Sequence, residues 1–354
     1  MTLRKDSQKI LEGSFFALSA ALLVMVLIGG LTRLTGSGLS IVEWDPIMGL
    51  LPPLNLSEWE EAFSKYKLFP EFIKINSLFT LEDFKSIFWL EYIHRFWGRL
   101  LGLFLLPPTL FGWQFPKLRP LLVSLWGLGG LQGALGWWMV KSGLNQVPWV
   151  NPCRLTAHLL MALLLFSLSL WGAWRSSSLE TPVNRPSPPL YFGGTGVLIV
   201  LTILWGGLVA GNHAGLLFPT FPLMEGSFIP EGVWILTPWW KNLFWNPTGI
   251  QWTHRLLAGA TFLSLLYGAF RSPALRGPLS IGVLQITLGA LTVLQGVPLI
   301  PAVLHQGTAF CLWGAWLWAF LKYDSIPPCP VSERDLSCSE RGSCPSVLVD
   351  SKRR

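Results

Sequence analysis

Charge is what this 354-residue chain has least of: Asp, Glu, Lys and Arg together make up 13% of it. A soluble domain carries about 25%. Hydrophobic residues account for 51%. Such a balance excludes a disordered chain and a nucleic-acid-binding domain, and it does not suit an ordinary cytosolic enzyme. Cysteine is scarce as well. The five are Cys153, Cys311, Cys329, Cys338 and Cys344. No CxxC or CxxCH occurs, which argues against covalent haem attachment and a zinc ribbon, and the spacing in the tail is a weak metal signal. Histidine also occurs only five times. What is abundant is tryptophan, 20 residues, suited to anchoring helix ends at a bilayer interface. The composition is that of an all-α integral membrane protein whose first partner is the lipid bilayer.

A hydrocarbon core about 30 Å thick takes about 20 apolar residues as helix. Windows of that kind fall at 13–33, 87–106, 120–140, 155–174, 191–211, 250–270, 279–297 and 301–321. They predict eight transmembrane helices, the last two joined by a tight turn at Pro298 to Pro301. The first window is too long for a removed signal and lacks a small-residue cleavage site. No Arg- and Ser-rich transit segment precedes it. The net charge of +7 reads as basic loops on the cytoplasmic side. Lys117, Arg119, Arg175, Arg185, Arg271, Arg276 and Lys322 follow even-numbered spans, and Arg4, Lys5 and Lys9 precede the first. The other side has mainly Lys141 and Arg154. Both termini are therefore expected in the cytoplasm, and the long loop at 34–86 outside. The tail at 322–354 is polar and Ser/Pro-rich, and is expected to be disordered.

The chain repeats itself. Gly29-Gly30-Leu31, then Pro46-Ile47-Met48-Gly49, is echoed by Gly206-Gly207-Leu208, then Pro222-Leu223-Met224-Glu225-Gly226. His94-Arg95 is echoed by His254-Arg255. Leu131-Gln132-Gly133-Ala134-Leu135-Gly136 has its counterpart in Leu284-Gln285 with Leu288-Gly289-Ala290-Leu291, and His158 in His305. The matching order predicts two tandem four-helix bundles of the same topology. The layout is a cytoplasmic N-terminus at 1–12, a first half at 13–175, a second at 190–321 and the tail.

Four of the five histidines, His94, His158, His254 and His305, lie near the outer ends of spans two, four, six and eight. At about 1.5 Å rise per residue they share one depth. Ionisable side chains inside a membrane are costly and usually functional. Two neutral imidazoles on facing helices in each half are what axial ligation of a haem iron needs. Interhelical hydrogen bonding is the plainer use of a single histidine, but it does not account for four at matched depth. Metal transport would add carboxylates, Met or Cys through the spans, where there are almost none.

Arg95 and Arg255 each follow a histidine, and Arg99 lies one turn below Arg95. They could pair with haem propionates, snorkel to the interface, or, for Arg95, pair with Glu91. Glu91 shares a helix face with His94, whereas Gln251 stands before His254. One half keeps a carboxylate that could orient an imidazole or act at the porphyrin edge, so one chemical site and one electron-transfer site are expected. In the outer loop Trp59, Phe63 and Tyr66 fall on one helical face, with Ser57 as candidate N-cap. That helix would cap the bundle or line a substrate entrance.

These residues resemble the heme A synthase family. The resemblance runs through Gly30-Leu31-Thr32-Arg33-Leu34-Thr35-Gly36-Ser37-Gly38-Leu39-Ser40, Val42-Glu43-Trp44, Lys65-Tyr66-Lys67 and Phe69-Pro70-Glu71-Phe72. It continues in Phe88-Trp89-Leu90-Glu91-Tyr92-Ile93-His94-Arg95, Thr253-His254-Arg255 and Leu304-His305-Gln306. The long loop without cysteine pairs resembles the branch of mitochondria and proteobacteria. The resemblance implies oxidation of a ring methyl of heme O to a formyl group, by two hydroxylations and a dehydration, giving heme A for a-type terminal oxidases. It implies heme O between His94 and His158, with Arg95 and Arg99 beside it, and haem b as cofactor on His254 and His305, beside Arg255. Glu91 is then the catalytic residue, stabilising developing positive charge or handling protons.

The resemblance also implies a bacterial inner membrane rather than a mitochondrial one. Heme O synthase and terminal oxidase assembly factors are the candidate partners, nucleic acid is not, and a homo-oligomer is left open. His213 stands where this branch often has an acidic residue; it is expected at the outer surface, solvated or facing a propionate. The competing readings are a bis-histidine membrane electron carrier with two haem b groups and no haem chemistry, and a transporter built on the repeat.

Overall fold

A computed structural model describes residues 2–43, 49, 51–145, 147–177, 179 and 188–323. Trp44, Pro46 to Met48, Arg185 and the tail with Cys329, Cys338 and Cys344 lie outside them. Ten α-helices carry the described residues: α1 (Thr2–Leu34), α2 (Leu56–Tyr66), α3 (Pro70–Lys74), α4 (Leu81–Gly112), α5 (Arg119–Gly143), α6 (Pro152–Ser177), α7 (Leu190–Gly211), α8 (Pro247–Arg271), α9 (Arg276–Leu294) and α10 (Leu299–Leu321). Among the described residues there is no strand, only an isolated bridge between Met224 and Ser227.

Each apolar window falls on one long helix, α1 or α4 to α10, except that the window 279–297 runs three residues past the end of α9. Four stretches are long and apolar enough to cross a membrane by length and composition: Asp6–Leu34, Pro152–Ser177, Leu190–Gly211 and Pro273–Leu294. The outward faces are strongly apolar. Leu110 on α4 is 73% exposed and Phe270 on α8 is 82% exposed, a surface unsuited to water.

The ends are set by local chemistry. Thr80 and Asp83 form a reciprocal capping box at the start of α4. Asn246 caps α8, with Pro247 in its first turn. α9 ends where Gly296 takes φ +70°, a conformation glycine adopts without steric cost. The turn into α10 thus spans 295–298, and Pro301 lies inside α10, not in the turn as expected. The N-cap of α2 is Asn55, not Ser57: Asn55 Oδ1 accepts from Glu58 N at 3.0 Å, and the Glu58 carboxylate accepts from Asn55 Nδ2 and Leu54 N. The buried face of α2 is Trp59, Phe63 and Tyr66, as the spacing predicts. It packs on Phe84, Ile87 and Phe88 at the outer end of α4. α2 therefore caps α4, and none of its residues lines the cavity described below.

α1 lies along α4 and α6, and α5 along α6; α7 lies along α8, and α9 along α10. Between the two sets, α6 meets α7 and α10 meets α1. Without a hydrophobic driving force between helices in lipid, small residues and hydroxyl pairs hold such contacts. Ser19 of α1 donates to Ser169 Oγ of α6 at 2.9 Å, and Thr202 of α7 pairs with Thr261 of α8 at 2.8 Å. Gly172 of α6 lies flat against the Phe15 ring of α1. Gly172→Val is expected to overpack this contact and destabilise the fold by about 1–3 kcal/mol, read as a lowered Tm in detergent.

Candidate functional site

The four matched histidines open onto one cavity of about 1730 Å³. An ordinary small-molecule pocket holds about 300–1,000 Å³, so the space is large enough for more than one bulky ligand. His94 on α4 and His158 on α6 are electrostatic neighbours, and so are His254 on α8 and His305 on α10. The predicted pairs are thus brought together. Among the described residues no group of three or more His, Cys, Asp or Glu could hold a bare metal ion. Paired imidazoles suit a metal that brings its own equatorial ligands, as a haem iron does.

Each imidazole lies against a glycine of a neighbouring helix. A methyl group at Gly136 of α5 would come 3.1 Å from His158 Cε1, at Gly206 of α7 3.2 Å from His254 Cε1, and at Gly289 of α9 2.8 Å from His305 Cε1. At Gly29 of α1 it would come 3.1 Å from His94 Nε2. Half a turn of the His94 ring would exchange that edge for Cε1 and Nδ1, the edge that faces glycine in the other three seats. A backbone carbonyl four residues before the glycine completes the seat. His254 Nδ1 lies 3.1 Å from the Thr202 carbonyl and His305 Nδ1 3.1 Å from the Gln285 carbonyl. A carbonyl only accepts, so in the neutral ring Nδ1 carries the proton and Nε2 keeps the lone pair that a metal needs. His158 Nδ1 faces the Gln132 carbonyl without reaching hydrogen-bond geometry. Among the described residues the His94 ring makes no hydrogen bond. Carbonyl hydrogen bonds therefore hold both rings of the second half, whereas in the first the His158 ring has Gln132 Nε2 at 3.5 Å from its Nε2.

The glycine pairs do two jobs at once. Gly29 and Gly206 seat histidines. Gly30 lies against Gln306 of α10, and Gly207 against Thr156 of α6. Gln306, next to His305, donates to the Val26 carbonyl of α1 at 2.8 Å. The sequence pattern marked these residues only as a repeat; what each one touches was not readable from it.

Glu91 is buried, at 2% exposure, and both oxygens are engaged. Oε1 accepts from Arg95 Nη2 at 2.7 Å and Nε at 3.0 Å. Oε2 accepts from Ser40 Oγ and from Ile41 N, each at 2.8 Å. Arg95 also donates to the Ile41 and Glu43 carbonyls. In the second half Arg255 donates to the Phe218 and Thr220 carbonyls at 2.8 and 2.7 Å, and Gln251 Nε2 to Phe218 O at 3.3 Å. Each His-Arg pair thus ties down the segment that follows the first helix of its half, with a carboxylate in the clasp of the first half alone. Of the three uses considered for Arg95, pairing with Glu91 is present in the structure. Arg99 lines the cavity.

Two cavity residues were not singled out as site residues from the sequence. Arg33 of α1 reaches across to the Ala210 carbonyl of α7. Glu71 of α3 is 6% exposed and accepts from Tyr66 Oη at 3.1 Å. Burial, reinforced by the charge of Glu91 and offset in part by the Tyr66 hydrogen bond, pushes the Glu71 carboxyl up to about 7. Burial also pushes the Tyr66 phenol well above its usual value. Glu71 stands in the Phe-Pro-Glu-Phe motif, whose signal gave resemblance but no role. His213 lies at the cavity rim, exposed as expected, with its ring centroid 4.9 Å from that of Trp149. Partial burial and the Arg33 guanidinium hold its pKa below the usual value.

The chain's relatives bear on this arrangement. The family model of the cytochrome oxidase assembly protein, COX15-CtaA, matches residues 14–317. A heme A synthase of Nitrosospira multiformis is 41% identical over 335 residues, covering 88% of this chain and 92% of the relative. One of a Bradyrhizobium species is 44% identical over 322 residues, covering 86% and 88%. One of Granulibacter bethesdensis is 44% identical over 321 residues, covering 84% and 83%.

Gly→Ala in an open helix position gains about 1 kcal/mol of helix propensity. Gly289→Ala is expected to do the opposite: the added methyl displaces the His305 ring and would weaken a haem held between His254 and His305. Gly277→Ala, on the same helix with open space beside it, is expected to keep it. The haem-to-protein ratio and the reduced-minus-oxidised spectrum report both.

Proposed function

The chain belongs to the cytochrome oxidase assembly family, COX15-CtaA, and from that membership we propose that it is a heme A synthase. It is an oxidoreductase of the membrane that acts on heme O, taking a ring methyl to the formyl group of heme A for terminal oxidases. The observation that carries this reading is a duplicated pair of imidazole seats with a carboxylate clasp in one copy only. Relatives bearing that name, similar over most of the chain, support it.

α1 and α4 to α10 are the eight spans, arranged as two tandem four-helix bundles. Both termini face the cytoplasm, the segment between α1 and α4 faces outward, and the membrane is the bacterial inner membrane. Residues 13–175 hold the substrate and 190–321 the cofactor. His94 and His158 bind the iron of heme O. His254 and His305 bind haem b; when bound, it supplies a one-electron redox centre. The fit rests on two Nδ1–carbonyl hydrogen bonds that leave both Nε2 lone pairs available. In the first half His158 Nδ1 is without such a bond, which suits a haem that must enter as substrate and leave as product.

Within this site the protein supplies position and charge. Arg95 and Glu91 hold residues 41–43 against the cavity wall. Glu91 keeps a negative charge beside the substrate haem, where positive charge develops as the methyl is oxidised. Arg95, Arg99 and Arg255 give the cavity a cationic wall for propionates. Heme O synthase and oxidase assembly factors are the partners that would hand over substrate and take product.

The test is expression with a heme O synthase, followed by extraction and analysis of haems. Heme A is expected; folded protein that makes none would reject the reading. Two tightly held haem b groups without heme A would point instead to the electron carrier. Glu91→Gln gives the first half the side chain of the second. It is expected to keep haem b and to lose about 100-fold or more of heme A formation. His254→Ala is expected to lose the haem b spectrum.

A further inference from the structure

Both carboxylate oxygens of Glu91 are already engaged. One oxygen is held by Arg95 and the other by Ser40 and the Ile41 amide. Yet hydroxylating a methyl moves protons whichever oxygen source is used. With water, C–H + H2O gives C–OH and releases two protons with two electrons. With O2, C–H + O2 takes up two protons and two electrons, and gives C–OH and water. In either case protons cross the wall of a mostly apolar cavity. A group that passes them must border the cavity, be able to hold and lose a proton, and connect outward.

Glu71 meets these conditions. It borders the cavity and is buried. Its carboxylate is not tied to a cation among the described residues: the hydrogen bond it receives comes from the neutral Tyr66 hydroxyl. Tyr66 in turn accepts from Asn76 Nδ2 at 2.8 Å. Asn76 is half-exposed and lines the same cavity. The groups that act on Glu71 are Tyr66 from α2 and Glu91 from α4; Arg95 neutralises Glu91, and Glu43 lies on the same wall. Burial, against these neighbours, pushes the carboxyl up to about 7, near physiological pH.

Resting on the heme A synthase reading, we infer that Glu71 is the proton-exchanging residue of the substrate cavity, passing protons between the reacting haem edge and the outer face while Glu91 holds charge and loop. The plain structural alternative is that Glu71 only anchors the turn between α2 and α4.

The experiment compares wild type, Glu71→Gln and Glu71→Asp, each expressed with a heme O synthase. Three things are measured: haem b content, heme A formed across a pH series through 7, and thermal stability across the same series. Wild-type heme A formation is expected to bend near pH 7. Glu71→Gln should keep haem b, lose heme A formation by about 100-fold and lose the bend; Glu71→Asp should restore part of both. Stability gives an independent readout. A folded pKa above the unfolded one means that the folded state binds more protons, so wild-type stability falls as pH rises through about 7. Glu71→Gln should lack that fall. Glu71→Gln with wild-type activity and pH profile would overturn the inference, as would its losing haem b along with activity. Wild type that forms no heme A would reject the parent reading instead, and the stability comparison would still decide whether Glu71 titrates near 7.

Discussion

An imidazole inside a hydrocarbon layer must find both a polar partner and a place to lie, because water supplies neither. The solution here is the bare backbone of a neighbouring helix. A glycine removes the side chain that would fill the space, and the carbonyl one turn earlier meets the ring nitrogen. The glycine part of that seat is built four times and the carbonyl part twice. The helices that carry histidines must pack against helices that carry glycines, and those contacts fix the order in which the spans surround the cavity.

The two halves use one plan with different tightness. In the second, both rings are fixed by carbonyls, and Arg255 holds the following segment through backbone oxygens alone. In the first, His158 stops short of its carbonyl, and a buried Glu91–Arg95 pair replaces the simpler clasp. A buried ion pair is seldom a gain in stability over apolar packing. Its presence in one copy alone is the main difference between the two clasps.

Much of this was legible in the sequence, for physical reasons. Histidines in apolar windows stand out because they are costly, so which of them face one another could be inferred from position. The long helices were readable because apolar windows of that length favour helix; four of them are long and apolar enough to cross a membrane. The glycines were not readable in the same way. Gly29 and Gly206 appeared as repeat markers, because which ring faces a glycine depends on how two distant helices meet. Glu71 hid in a loop motif, since burial of a loop carboxyl is set by the tertiary fold. The N-cap of α2 fell at Asn55 because Glu58 reciprocates its hydrogen bonds, a pairing that outcompeted Ser57.

The double glycines have one more consequence. Gly30 receives α10 and Gly207 receives α6, so each half offers the same surface to the other and receives the same surface in return. That is the geometry of an isologous dimer, in which one patch serves both partners about a two-fold axis. A polypeptide of a single half would carry both complementary surfaces and could close on a copy of itself. On the reading of the chain as two tandem halves, joining them covalently would permit the copies to differ: a homodimer would have to place Glu91 in both sites or in neither.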